Sequence, residues 1–208
     1  MAGKRGYCEE DKAVIFDLDG TLITLPVNYD RLRERLRSLL KTDHPIKPLF
    51  ESIEALTKEE RSLRARAYEI VYEEEGVAID ALKPRRGLKK VLKTLKGKGF
   101  RIGLVTLQGK TTATRALEKI GVSDLFDIVI TREHSIDREA QIRHALRMLG
   151  TESGVMIGDR IEDMKAGQSL GCMTIGTSKS PKRRKLLRET MPRSVISNLA
   201  ELLEILSN

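Results

Sequence analysis

Four carboxylates in this 208-residue chain fall at positions where a sheet-and-helix protein would bring them together. Asp17 and Asp19 sit in Asp17-Leu18-Asp19-Gly20-Thr21. Two apart on an extended chain, they point the same way, and Gly20 lets the backbone turn sharply. Asp159 and Asp163 follow Gly158 and stand four apart, one turn along a helix. Converging carboxylates repel each other and are costly to desolvate without a cation. An oxygen-only cluster with no His or Cys beside it favours a hard ion, Mg²⁺ above all. Taken singly, the first pair reads as a turn and the second as a capped helix start. Taken together, in this order and each at the end of an apolar run, they read as one metal site.

The elements needed to position them are legible in the hydrophobic pattern. Residues 13–18, AVIFDL, form a buried strand that stops at Asp19-Gly20. From Pro26 to Pro84 the spacing turns helical: Leu32, Leu36, Leu39 and Leu40, then Leu49, Ile53 and Leu56, then Leu63, Ala67, Ile70 and Val71. Beyond Pro84, helices are expected at 87–97, 110–120, 137–149 and 160–170. Strands alternate with them at 100–106, 125–131, 154–159 and 172–177. The pattern predicts an α/β fold, a doubly wound, Rossmann-like parallel sheet with a small all-helical insertion after the first strand. The core is expected over 1–25 and 85–208, and the insertion over 26–84. Ligands of such sheets sit beyond the carboxyl ends of the strands, which are Asp17, Thr106 and Asp159.

These residues resemble a family. DLDGT at 17–21, Thr106 after its apolar strand, and GDRIEDMKAG at 158–167 are similar to the motifs of the haloacid dehalogenase-like hydrolases. The helical insertion is similar to the cap of that family's phosphoglycolate-phosphatase-like branch. The resemblance implies phosphotransfer through an aspartyl-phosphate on Asp17, with Asp19 as acid and then base. It implies Mg²⁺ held by Asp17, the backbone carbonyl of Asp19, and Asp159, with Asp163 completing or orienting the shell. The Thr106 hydroxyl would donate to a phosphoryl oxygen, helped by amides at the start of the following helix. The family expects a Lys before the helix preceding the fourth motif, yet no Lys lies between Lys119 and Lys165. Arg138, where that helix begins, can substitute as a bidentate cation, or can be a solvated residue beside Glu139. Arg132 and Lys110 are the other cations near the site.

The remaining sequence bounds the partner. The chain carries 38 basic and 30 acidic residues, a net charge of +8. Nine of the basic residues lie in 83–101 and six in 179–188, with no acid in either stretch. Those stretches raise a second hypothesis, a catalytically weak protein of the same fold that binds polyanions or nucleic acid. Only four Tyr and four Phe, with no Trp, stand against a base-stacking platform. The 83–101 stretch reads as a helix face, with Lys89, Lys93 and Lys96 opposite Leu88, Val91, Leu92 and Leu95. The 179–188 stretch starts at the catalytic edge, where it would either steer anions or simply be solvated. A receiver-like phospho-acceptor lacks the helical insertion and the second Asp. Gly103 to Lys110 misses the P-loop spacing by one residue. Two distant cysteines, Cys8 and Cys172, and no apolar leader suggest a reduced, cytoplasmic protein with no membrane span. The expected partner is a small phosphorylated compound. His44, His134 and His144 are scattered and read as surface residues.

Overall fold

The computed structural model describes residues 12–207, so Cys8 lies outside the described residues. The first apolar run forms β1 (Ala13–Phe16), buried along its whole length. Its pleat sends Val14 and Phe16 to one face and Ala13 and Ile15 to the other. The strand is shorter than the expected 13–18. After Phe16 the chain turns back on itself, with the Leu22 and Ile23 amides donating to the Leu18 carbonyl.

Next come β2 (Ile23–Thr24) and its antiparallel partner β3 (Lys83–Pro84), which enclose the helical insertion. Between them run α1 (Tyr29–Leu40), α2 (Leu49–Leu56) and α3 (Arg61–Asp80). Leu32, Leu36, Ile53, Ala67 and Val71 from the periodic positions meet Ile46 and Phe50 in a small core of their own. Where the insertion returns, Arg85 donates from its backbone to the Leu22 carbonyl and from its guanidinium to the Gly20 carbonyl. The exit from the insertion is thereby tied to the Asp17–Thr21 turn.

The rest alternates: α4 (Leu88–Gly97), β4 (Arg101–Val105), α5 (Lys110–Lys119), β5 (Ile128–Ile130), α6 (Arg138–Met148), β6 (Val155–Gly158), α7 (Ile161–Ser169), β7 (Met173–Thr177), α8 (Pro181–Arg188), β8 (Ser194–Ile196) and α9 (Glu201–Ile205). Six parallel strands order as β5-β4-β1-β6-β7-β8. Helices α4, α5 and α9 pack on one face and α6 and α7 on the other. The expected strand at 125–131 is reduced to Ile128–Ile130, because Ser123–Leu125 forms a 3-10 turn. The Asp127 carboxylate there accepts from the Ile102 amide and from Lys96. The α4 lysines Lys89 and Lys93 are exposed opposite its buried leucines, so this part of the basic stretch is a solvated helix face. Among the described residues no helix is long and apolar enough to cross a membrane.

One buried contact fixes the insertion on the sheet domain. Arg132, just past β5, pairs with Glu75 of α3, and both side chains are almost fully enclosed. The guanidinium also lies against the rings of Phe50, Tyr68 and Tyr72, at 5.3, 5.7 and 4.5 Å. Glu75 accepts in addition from the Thr112 hydroxyl and the Gly109 amide. Removing one partner of such a pair strands the other charge in the interior. Arg132→Met is therefore expected to lower unfolding free energy by about 3–5 kcal/mol in urea titrations. A loss under about 1 kcal/mol, typical of an exposed pair, would show that the contact does not hold the insertion.

Candidate active site

The order of strands reverses at the β1–β6 pair: β4 and β5 lie beyond β1, and β7 and β8 beyond β6. This is the crevice where doubly wound sheets bind ligands. Asp17 follows β1, its amide donating to the Ile157 carbonyl of β6, and Asp159 follows β6 directly. Asp163 reaches the same place from the first turn of α7, where one of its oxygens accepts the Arg160 amide. Each of Asp17, Asp159 and Asp163 offers an oxygen within 4.8 Å of the others, and all three are buried. The approach depends on two glycines. A Cβ on Gly158 would lie 2.2 Å from an Asp163 oxygen. One on Gly20, which sits at φ +85, would lie 2.3 Å from Asp159.

Two arginines partner the cluster. Arg138, at the start of α6 and buried, donates to Asp17 Oδ1 at 3.0 Å and to Gln141 Oε1 at 3.1 Å. Its Nε stands 3.0 Å from Asp163 Oδ1, but off the N–H axis, so both atoms lack a hydrogen bond. Arg183, on α8, donates to Asp159 Oδ2 at 2.7 Å. Asp17 Oδ2 is buried with no hydrogen-bond partner among the described residues. Buried oxygens without donors are what a hard cation needs, so the donor set fits Mg²⁺.

The cluster faces a cavity of about 580 Å³ between the strand ends and the insertion. Its wall includes Asp17, Asp19 and Asp159 from the sheet side and Tyr29, Arg33 and Lys47 from the insertion. Burial raises the Asp17 carboxyl well above the ordinary range, and neighbouring Asp163 adds to this while Arg138 opposes it. Burial likewise raises Asp19 and Asp163, and takes Asp159 up to about 6. The Tyr29 phenol is pushed up to about 12 by burial first and by Asp19 next. Carboxyls held high by enclosure beside like charges are a pattern of functional sites.

The sequence profile of the haloacid dehalogenase-like hydrolases matches residues 12–171. The chain belongs to this family. Pyrophosphatase PpaX of Bacillus cereus strain G9842 is 27% identical over 212 residues, covering 94% of this chain and 96% of its own. That of Bacillus mycoides strain KBAB4 is 28% identical, covering 93% and 96%. Among solved structures, a HAD phosphatase from Thermococcus onnurineus has a TM-score of 0.69 at 24% identity, covering 94% of this chain and 97% of its own. A haloacid dehalogenase-like family hydrolase from Streptococcus pneumoniae has a TM-score of 0.71 at 16% identity, covering 95% and 99%. These structures share its fold. The chain is thus a hydrolase of the haloacid dehalogenase-like family.

The residues singled out by sequence do not all meet. Asp17, Asp159, Asp163 and Arg138 converge. Asp19 lines the cavity, its carboxylate accepting from the Leu25 amide at 2.8 Å and standing outside the three-oxygen cluster. Thr106 is fully buried below the cavity, its hydroxyl donating to Gln108 Oε1 and accepting from the Gln108 amide. Leu107 and Gln108 reach the wall in its place. The amides expected to help Thr106 are taken by carboxylates: Gly109 donates to Glu75, and Lys110 to Glu133. Of the three cations weighed, Arg132 is committed to Glu75, and the Lys110 side chain is absent from the cavity wall. Arg183 was not singled out, although the 179–188 charge run at the catalytic edge pointed to its neighbourhood. His44 and His134 are exposed and His144 half-buried.

Raised carboxyl pKa values carry a sign. A carboxyl that holds its proton more tightly when folded favours the folded state at low pH, and this favour fades as pH rises through its folded pKa. For Asp159 the window runs from its ordinary 3.8 to about 6. Glu74, Asp127 and Glu133 are lowered instead, so their contribution runs the other way and is lost as pH falls. The metal-free hydrolase is therefore expected to melt at a higher temperature at pH 5 than at pH 7, with Mg²⁺ recovering the difference at pH 7. Equal melting temperatures at both pH values, unmoved by Mg²⁺ in scanning calorimetry, would count against the cluster as a metal site.

Proposed function

We propose that the protein is a Mg²⁺-dependent phosphatase that hydrolyses a small phosphorylated metabolite through an aspartyl-phosphate on Asp17. The observation that carries this reading is the buried Asp17–Asp159–Asp163 cluster, with a donor-free Asp17 oxygen facing a cavity and Arg138 holding the other. Asp17, Asp159 and the Asp19 carbonyl would hold the ion, with Asp163 behind them, and its charge would draw in the phosphoryl oxygens. Asp17 forms the new O–P bond as the ester P–O bond breaks. Asp19, whose carboxyl is raised by burial, gives its proton to the leaving oxygen. It then takes a proton from the water that cleaves the acyl phosphate and restores Asp17.

Arg138 fills the place of the absent lysine. Its hydrogen bond orients Asp17, and its single positive charge lies beside two of the three cluster carboxylates. The helical insertion, residues 26–84, would act as the cap that excludes water and selects the substrate. The names of the Bacillus relatives make pyrophosphate one substrate to test.

Purified protein should release inorganic phosphate from a panel of phosphomonoesters and pyrophosphate only when Mg²⁺ is present. Asp17→Asn should reduce turnover by roughly a thousandfold or more. Arg138→Lys should keep more activity than Arg138→Ala, because it preserves the charge but not the fork. A wild-type protein inert across the panel with Mg²⁺ present would sink the reading.

A further inference from the structure

We propose that Gln108 donates from its side-chain amide to the phosphoryl group at Asp17, and that the Thr106 hydroxyl acts through Gln108 by fixing which way that amide faces. The inference rests on the phosphatase reading and adds to it the side chain that meets the phosphoryl oxygens at the end of β4.

The orientation of the amide follows from the burial of Thr106. A hydroxyl carries one donor, and a buried donor needs an acceptor. Thr106 is fully buried, and its oxygen already accepts the Gln108 backbone amide at 3.1 Å. Among the described residues its proton goes to Gln108 Oε1, at 2.8 Å. Turning the amide over would set an NH2 group against the hydroxyl and strand that proton in the interior. Oε1 is therefore the atom bound to Thr106, and Nε2 is the one left over.

The other polar groups of Gln108 are committed. Its backbone amide goes to Thr106, and its carbonyl accepts the Arg132 amide. Nε2 has no acceptor among the described residues, yet it is not one of the fully enclosed polar atoms that lack a partner. Gln108 is 8% exposed and lines the cavity together with Asp17, Asp19 and Arg138, so the free N–H groups open there.

The backbone brings this donor to the reacting carboxylate. Strands β1 and β4 are adjacent, with Phe16 opposite Leu104, so Asp17 and Thr106 follow neighbouring strand ends. The Thr106 carbonyl accepts from Gln141, which also holds Arg138 against Asp17. Beyond Thr106 the loop is pinned by Arg132 at Leu107 and Gln108, and by Glu75 at Gly109. A donor fixed before the substrate arrives stabilises phosphoryl charge without the reorganisation that water requires.

The test is isothermal titration of the full chain with inorganic phosphate in the presence of Mg²⁺, beside kcat/KM on the phosphomonoester panel. Gln108→Glu keeps an oxygen for the Thr106 hydroxyl but has no N–H to offer. Thr106→Val combined with Gln108→Met removes donor and hydroxyl together, so no buried proton is stranded and no charge is added. Both proteins are expected to melt close to wild type and to bind phosphate about ten- to hundredfold more weakly, the value of one hydrogen bond to a charged group. Thr106→Val alone leaves the amide in place but unheld, and should cost less than the double variant. A loss in Gln108→Glu with none in the double variant would trace to the added charge and overturn the donor. A loss in Thr106→Val equal to that of the double variant would make the hydroxyl the phosphate contact and overturn it as well. All three outcomes leave the phosphatase reading standing as long as the wild type turns over. A wild-type chain that neither binds phosphate nor releases it from any ester would remove that reading, and the role of Gln108 with it.

Discussion

Three enclosed carboxylates with oxygens within 4.8 Å of one another are an arrangement that folding alone disfavours. Each ionised carboxylate taken out of water costs several kcal/mol, and mutual repulsion adds to it. Much of the surrounding structure is an answer to that cost. The strand order reverses at β1 and β6 so that Asp17 and Asp159 face one crevice. Gly20 and Gly158 leave space into which no side chain would fit. Arg138 and Arg183 supply charge from the first turns of two different helices.

The same two loops border the cavity and hold the insertion. Gln141, fully buried on α6, accepts from Arg138 and donates to the carbonyls of Thr106 and Ser135. It therefore fixes the arginine against the end of β4. The residues just beyond, Leu107 to Gly109, receive Arg132 and Glu75 from the contact that anchors the insertion. Cavity wall, Arg138 and insertion meet within a few residues of the β4 and β5 ends. A displacement of the insertion would be felt at Leu107 and Gln108, which line the cavity.

Much of this was legible in the sequence, for stated reasons. The parallel sheet followed from short apolar runs alternating with amphipathic helices, because buried strands and one-sided helices leave different periodicities. The Asp-x-Asp-Gly and Gly-Asp-x3-Asp spacings pointed to the cluster, since each residue is local to its own turn. What stayed hidden depends on contacts distant in the chain. β2 and β3 are two residues each and pair across the whole insertion. β8 spans three residues and is a strand only because β7 offers it an edge. The Glu75–Arg132 pair joins residues 57 apart, and neither neighbourhood announces it. The Thr106 hydroxyl's bond to Gln108, two residues on, is likewise a matter of side-chain conformation that the sequence does not announce.

An arginine at position 138 differs from a lysine in more than the head group. An ammonium is a compact charge on a flexible stem, whereas a guanidinium distributes its donors over a rigid plane. Here the three nitrogens face three groups: Asp17, Asp163 and Gln141. One side chain thus spans two carboxylates that repel each other and is itself held by an amide. The short reach from the first turn of α6 suits this planar span. The departure from the family's lysine pattern is thus compatible with an intact site, because what the carboxylates require is a fixed positive charge between Asp17 and Asp163.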